Sequence, residues 1–151
     1  MALDDIYKEV ILDHYKNPRN KHDLPGAELS CTRNNPLCGD EITVFVHEDG
    51  DTIAQVAFMG AGCSISQSSA SMMTEAVSGK KIDQAKALAA DFRGMMAGEV
   101  EPDEDGLGDL VALKGVVKYP IRIKCAVLAW DVLQEALDSA GTASGSAPHS
   151  V

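Results

Sequence analysis

The period of the apolar residues switches from two to helical midway along this chain, and that change constrains its fold more than any other feature. From Glu41 to Glu48, Ile42, Val44 and Val46 alternate with Thr43, Phe45 and His47, the two-residue period of a strand with one buried face. Thr52 to Met59 reads as a second strand, and Asp49-Gly50 between the two is a hairpin signal. From Ser64 the spacing becomes helical. Ile65, Ser69, Met72 and Ala76 share a face, Ser64 is a fair N-cap, and Gly79 stands where a helix would end.

The flanking segments complete an α+β chain. Leu3 to Lys16 reads as an amphipathic helix with Leu3, Ile6, Val10 and His14 on its stripe and Asp4 and Asp5 at its positive end. Asn17-Pro18-Arg19-Asn20 stops it. Ala27 to Thr32 is expected to form a short strand carrying Cys31. Ile82 to Ala97 reads as a helix with Ala85, Ala89, Phe92 and Met96 in register. An acidic loop with six carboxylates, Glu99 to Asp109, precedes a helical piece over Leu110 to Val117. Pro120 suits the first position of a last helix running to about Ala140, with Ile121, Cys125, Leu128 and Val132 along one stripe. Gly141 to Val151 is Ser/Ala/Gly/Pro-rich and aperiodic, the composition of a disordered tail. The expectation is one domain over 1–140, a small antiparallel three-stranded sheet with helices packed on it, and a tail over 141–151.

Composition removes several function classes. The net charge is −10 and the pI near 4.7, without the basic footprint of a nucleic-acid binder. No stretch approaches the ~18 apolar residues of a membrane span. Met1 to Val10 carries Asp4, Asp5 and Glu9 and no secretory core, so a cytoplasmic location is expected. There disulfides are disfavoured, and the four cysteines (Cys31, Cys38, Cys63 and Cys125) point to metal or sulfur chemistry.

Three of them have distinctive settings. Cys38 lies in Asn35-Pro36-Leu37-Cys38-Gly39-Asp40, Cys63 in Gly60-Ala61-Gly62-Cys63-Ser64-Ile65-Ser66, and Cys125 in Arg122-Ile123-Lys124-Cys125-Ala126. Glycine beside the first two allows tight turning or close approach to a bound group. A helix packed on the sheet would bring the three together, and the start of a helix would stabilise the Cys63 thiolate. Asp40 adds a carboxylate, so Cys38, Asp40, Cys63 and Cys125 form a candidate metal set of three soft ligands and one hard one. Cys31, in Leu29-Ser30-Cys31-Thr32-Arg33, reads as a small buried hydrophobe. His14 lies on an apolar stripe and reads as a core or interface histidine, while His47 and His149 read as surface residues. Met72, Met73, Met95 and Met96 are expected in the core.

These motifs, in this order, resemble the U-type iron–sulfur cluster assembly proteins, above all their SufU branch. The resemblance runs from Ile11-Leu12-Asp13-His14-Tyr15-Lys16-Asn17-Pro18-Arg19-Asn20 to Cys125-Ala126-Val127-Leu128-Ala129-Trp130. IscU-like scaffolds usually carry histidine directly before the third cysteine. Here that residue is Lys124, as in the SufU branch, and Gly94 to Pro120 looks like that branch's insertion. The resemblance implies a Zn2+ protein that accepts persulfide sulfur from a SufS-type, PLP-dependent cysteine desulfurase and serves downstream Suf assembly proteins. Cys38, flanked by Pro36 and Gly39, would be the sulfur acceptor, and Arg122, one helical turn before Cys125, a stabiliser of the persulfide or thiolate. The rival is a scaffold holding a transient [2Fe–2S] cluster on the same thiolates. A zinc-stabilised adaptor and a thiol redox protein rank below; the latter would need a close cysteine pair, and the chain has no C-x-x-C.

Overall fold

Ile42, Val44 and Val46 are fully buried, and they define the inner face of the central strand β2 (Asp40–Asp49). The computed structural model describes residues 3–35, 39–99 and 107–142. Its elements are α1 (Leu3–Lys16), β1 (Leu29–Asn35), β2, β3 (Thr52–Ala61), α2 (Ser64–Val77), α3 (Ile82–Met96), a 3₁₀ helix (Gly108–Lys118) and α4 (Pro120–Thr142). The three strands form one antiparallel sheet in the order β1-β2-β3, as expected. The domain boundary expected at 140 is not marked by a break, since α4 continues to Thr142; positions 143–151 lie outside the described residues.

One face of the sheet carries the core. Val44 pairs with Phe58 and Val46 with Val56, and all four side chains are fully buried. On the other face Thr32 and Thr43 share a hydroxyl hydrogen bond of 2.7 Å in solvent. The inner face packs on α4, whose Ala129, Val132, Leu133 and Ala136 are fully buried. Behind α4 lies α3: Phe92 stacks on Trp130 at 5.1 Å between ring centroids, and Arg93 donates to the Asp131 carboxylate at 3.0 Å. Met72, Met73, Met95 and Met96 are all buried, as their spacing predicts.

Both strand boundaries at one end lie further along than propensity suggests. β1 runs to Asn35 rather than stopping at Thr32, although Arg33, Asn34 and Asn35 are weak strand formers, because each finds a partner on β2: Ile42, Glu41 and Asp40. β3 likewise continues past Met59 so that Gly60 and Ala61 pair with Ile42 and Glu41. Pairing outweighs local preference here.

The free edge of β3 is covered, which removes a row of unpaired backbone groups. Phe58 donates its N–H to the Asn20 carbonyl at 2.9 Å, and Ile53 exchanges hydrogen bonds of 2.8 Å with Lys80 and Gly79. Helix α1 is fastened through His14. Its Nδ1 shares a 2.8 Å hydrogen bond with Ser71 Oγ, its Nε2 lies 3.3 Å from Asp109 Oδ2, and the Arg19 N–H donates to the same Ser71 oxygen at 2.9 Å. His14 is therefore the satisfied buried histidine its position on the stripe predicts. The side chains of Leu3 and Ile6, the loop positions 100–106 and His149 lie outside the described residues.

The helical piece expected after the acidic loop is present as a 3₁₀ helix, held by buried Leu110, Val111, Leu113 and Val116. Two expectations need correcting. Ile121 is 64% exposed, because the apolar stripe of α4 reaches the core only from Cys125 onward. Cys31 is half-buried rather than buried: its thiol meets the Glu135 carboxylate of α4. Burial, together with that carboxylate, pushes the thiol up to about 11. Among the described residues no helix is long and apolar enough to cross a membrane.

Candidate metal centre

Cys63 ends the glycine-bearing link from β3 and is itself the N-cap of α2, a role the sequence suggests for Ser64. Its backbone is extended at φ −72° and ψ 167°, and its sulfur accepts the Ser66 N–H at 3.4 Å. A thiolate in that position receives both a backbone donor and the positive end of a fourteen-residue helix.

Asp40 is placed by the sheet. As the first residue of β2 it stands opposite Asn35, the last of β1, and it is buried. Its Oδ1 accepts the Cys63 N–H at 2.8 Å, while its Oδ2 lies 4.0 Å from Cys63 Sγ. One carboxylate oxygen thus fixes the side chain and the other faces the thiol. Gly62 makes this possible: a Cβ there would meet Asp40 Oδ1 at 2.3 Å and Ser66 Oγ at 2.8 Å.

Cys125 arrives from the second turn of α4 and is fully buried. Its sulfur lies 3.9 Å from the Asn35 amide nitrogen, which donates to it, and 4.0 Å from the Ile121 carbonyl. One ligand atom from each of Asp40, Cys63 and Cys125 falls within 4.8 Å of the others. A tetrahedral Zn2+ with sulfur at ~2.3 Å and oxygen at ~2.0 Å has ligand-to-ligand edges of about 3.5–3.8 Å, so a modest contraction of this set would fit one ion. The donor types agree, because two cysteine sulfurs and a carboxylate, with Asp40 and Cys125 buried and Cys63 half-buried, are a set that suits a borderline-soft cation such as Zn2+.

Of the four expected ligands, the structure brings together Asp40, Cys63 and Cys125. Cys38 lies outside the described residues; its neighbour Gly39 is exposed at φ +70° and leads straight into Asp40. Cys63 also lines a cleft of about 1090 Å³ between α1, the 3₁₀ helix and the start of α4, with Lys8, Ile65, Lys118, Tyr119 and Arg122 among its walls. Arg122 therefore stands on the same cleft as Cys63, while Lys124 is exposed on α4. Cys31 and the described histidines belong to other contacts. Sequence reasoning misses the Asn35 amide, the hydrogen bond from Cys63 to Asp40 and the cationic cleft wall. The first is within reach, since Asn35 opens the motif that contains Cys38 and Asp40.

The sequence model of the NifU-like N terminal domain matches residues 6–126, a span that ends just past Cys125. The chain belongs to that family. Within it, the chain is 49% identical over 133 residues to the zinc-dependent sulfurtransferase SufU of Bacillus subtilis, covering 88% of this chain and 90% of the relative. It is 45% identical over 141 residues to the iron–sulfur cluster assembly scaffold protein IscU of Streptococcus pyogenes, covering 93% and 88%. A crystal structure from Fervidobacterium islandicum, described as a putative cluster assembly scaffold for the SUF system, superposes with a TM-score of 0.82 at 37% identity, covering 90% of this chain and 99% of that one. The three-stranded sheet with packed helices is thus the fold of this NifU-like family, as the resemblance implied, and the Streptococcus and Fervidobacterium relatives carry names from iron–sulfur cluster assembly.

Proposed function

We propose that this protein binds Zn2+ through Cys38, Asp40, Cys63 and Cys125 and accepts sulfur at Cys38 from the persulfide of a SufS-type cysteine desulfurase, for passage to iron–sulfur cluster assembly in the cytoplasm. The observation that carries this reading is how firmly three of the four ligands are held. Asp40 is fixed by the Cys63 N–H, Cys63 by the Ser66 N–H, and Cys125 by complete burial. Cys38 is joined to this frame through exposed Gly39. Three groups form a fixed base, and the residue that joins it to the fourth, Gly39, is exposed.

Zinc, when bound, holds its thiolates deprotonated without redox chemistry of its own. The Cys38 thiolate attacks the terminal sulfur of the donor persulfide, forming a new S–S bond as the donor's S–S bond breaks and its cysteine leaves as thiolate. No oxidant or reductant is consumed. Cys63 and Cys125 stay out of the exchange because each is tied into the fold. Arg122, on the cleft shared with Cys63, supplies a fixed charge for the developing thiolate.

The scaffold reading is favoured by the names of the Streptococcus and Fervidobacterium relatives. Lys124 weighs against it, since a protonated lysine cannot supply the ligand that histidine would. Metal content of protein purified with and without air, together with desulfurase turnover with and without the protein, separates the two. About one zinc per chain, with stimulation lost in Cys38→Ala, is expected. Iron and sulfide in the anaerobic sample with unchanged turnover would overturn the sulfur-acceptor reading in favour of the scaffold.

A further inference from the structure

Cys125 is the one described ligand with no exposure at all, and a buried thiolate needs donors beyond the ion it binds. The last residue of β1 supplies one. Asn35 is only 8% exposed, pairs in the sheet with Asp40, and directs its Nδ2 to Cys125 Sγ at 3.9 Å. We propose that Asn35 is a positioning residue of the metal centre, whose amide donates to the Cys125 thiolate and makes that sulfur the fixed, least reactive ligand.

Two consequences follow from the chemistry of an N–H···S bond to a metal-bound thiolate. The bond draws electron density from sulfur, so Cys125 donates less to the ion and is a poorer nucleophile toward a persulfide. It also links a strand residue to a helix residue across the site, so the position of the sulfur is set by the packing of β1 against α4. Because β1 also places Asp40 through its pairing with Asn35, one residue coordinates the approach of a hard ligand and a soft one. The inference rests on the metal-binding part of the proposed function.

The test uses the full chain loaded with Co2+, comparing wild type with Asn35→Leu, Asn35→Asp and Asn35→Gln. Loss of the donor in Asn35→Leu is expected to move the sulfur-to-cobalt charge-transfer band to lower energy. It is also expected to weaken Zn2+ against a chromophoric chelator by roughly ten- to a hundred-fold. Asn35→Gln, which keeps an amide, should retain most of the wild-type band, a rescue that a purely structural role would not predict. Should Asn35→Leu fail to fold, Asn35→Asp keeps the shape and removes the donor, and the same shift is expected. An unmoved band and unchanged Zn2+ affinity in a folded donor-less variant would overturn the proposal. Failure of the metal reading beneath it shows separately, in the wild-type sample, as cobalt taken up without thiolate charge transfer.

Discussion

At one end of the β2–β3 hairpin, Gly50 turns the chain at φ +64° with nothing within 4 Å of where a Cβ would stand; at the other, Gly62 leaves β3 at φ +156° with Asp40 Oδ1 at 2.3 Å from that point. Both positions demand glycine for backbone reasons. Only the second also demands it for space, because a carboxylate, a helix cap and two thiols converge there. The polar groups differ in the same way. Near the turn, Glu28 and His47 form an exposed pair at 2.9 Å, whereas beside Gly62 a carboxylate and a cysteine are packed against each other. One end closes a hairpin; the other gathers the candidate ligands.

The sharpest way to break this contrast is to remove a ligand. Asp40→Ala and Cys125→Ala should each lower zinc from about one per chain to a small fraction, read by elemental analysis after gel filtration. The corresponding deletion at the other end, Glu28→Ala, should leave zinc unchanged. Next in size is the glycine pair. Gly62→Ala should cost about 3 kcal/mol, from backbone strain plus the clash with Asp40, and Gly50→Ala about 1 kcal/mol, from the left-handed turn alone. Denaturant unfolding of the zinc-free chains measures both, and equal losses would erase the distinction.

A third prediction concerns the cysteine outside the site. Cys31 should be alkylated with an inflection near pH 11, as read by peptide-resolved mass spectrometry, and Glu135→Gln should move it toward the ordinary 9.0. The sign for stability follows: the raised thiol supports the fold below about pH 9, and that contribution is lost as pH rises toward 11. The smallest effect belongs to the exposed pair near the turn, where Glu28→Gln should leave the denaturant midpoint unchanged.

Much of the fold and of the site is legible in the residues themselves. The hairpin follows from alternation at Ile42, Val44 and Val46, and the positions of Cys63 and Cys125 follow from the helical periods around them. What local pattern does not carry is register and the convergence of distant segments. Nothing local to Arg33, Asn34 and Asn35 marks them as strand; only the availability of Asp40 to Ile42 as partners does. Ile121 fits the stripe of α4 by spacing, yet that stripe meets the sheet one turn later. Cys31 has an ordinary strand setting, and its raised thiol depends on Glu135, 104 positions away. Cys63 as its own helix cap escapes a reading by propensity because serine beside it is the commoner choice.

If three ligands stay fixed while Cys38 takes the sulfur, native mass spectrometry of the zinc-loaded chain shows it after incubation with a PLP-dependent cysteine desulfurase and cysteine. A species that keeps one zinc and gains one sulfur atom is expected, with fragmentation placing that sulfur on Cys38. Sulfur on Cys63 or Cys125, or a chain that gains iron and sulfide while Cys38 carries no persulfide, would contradict it.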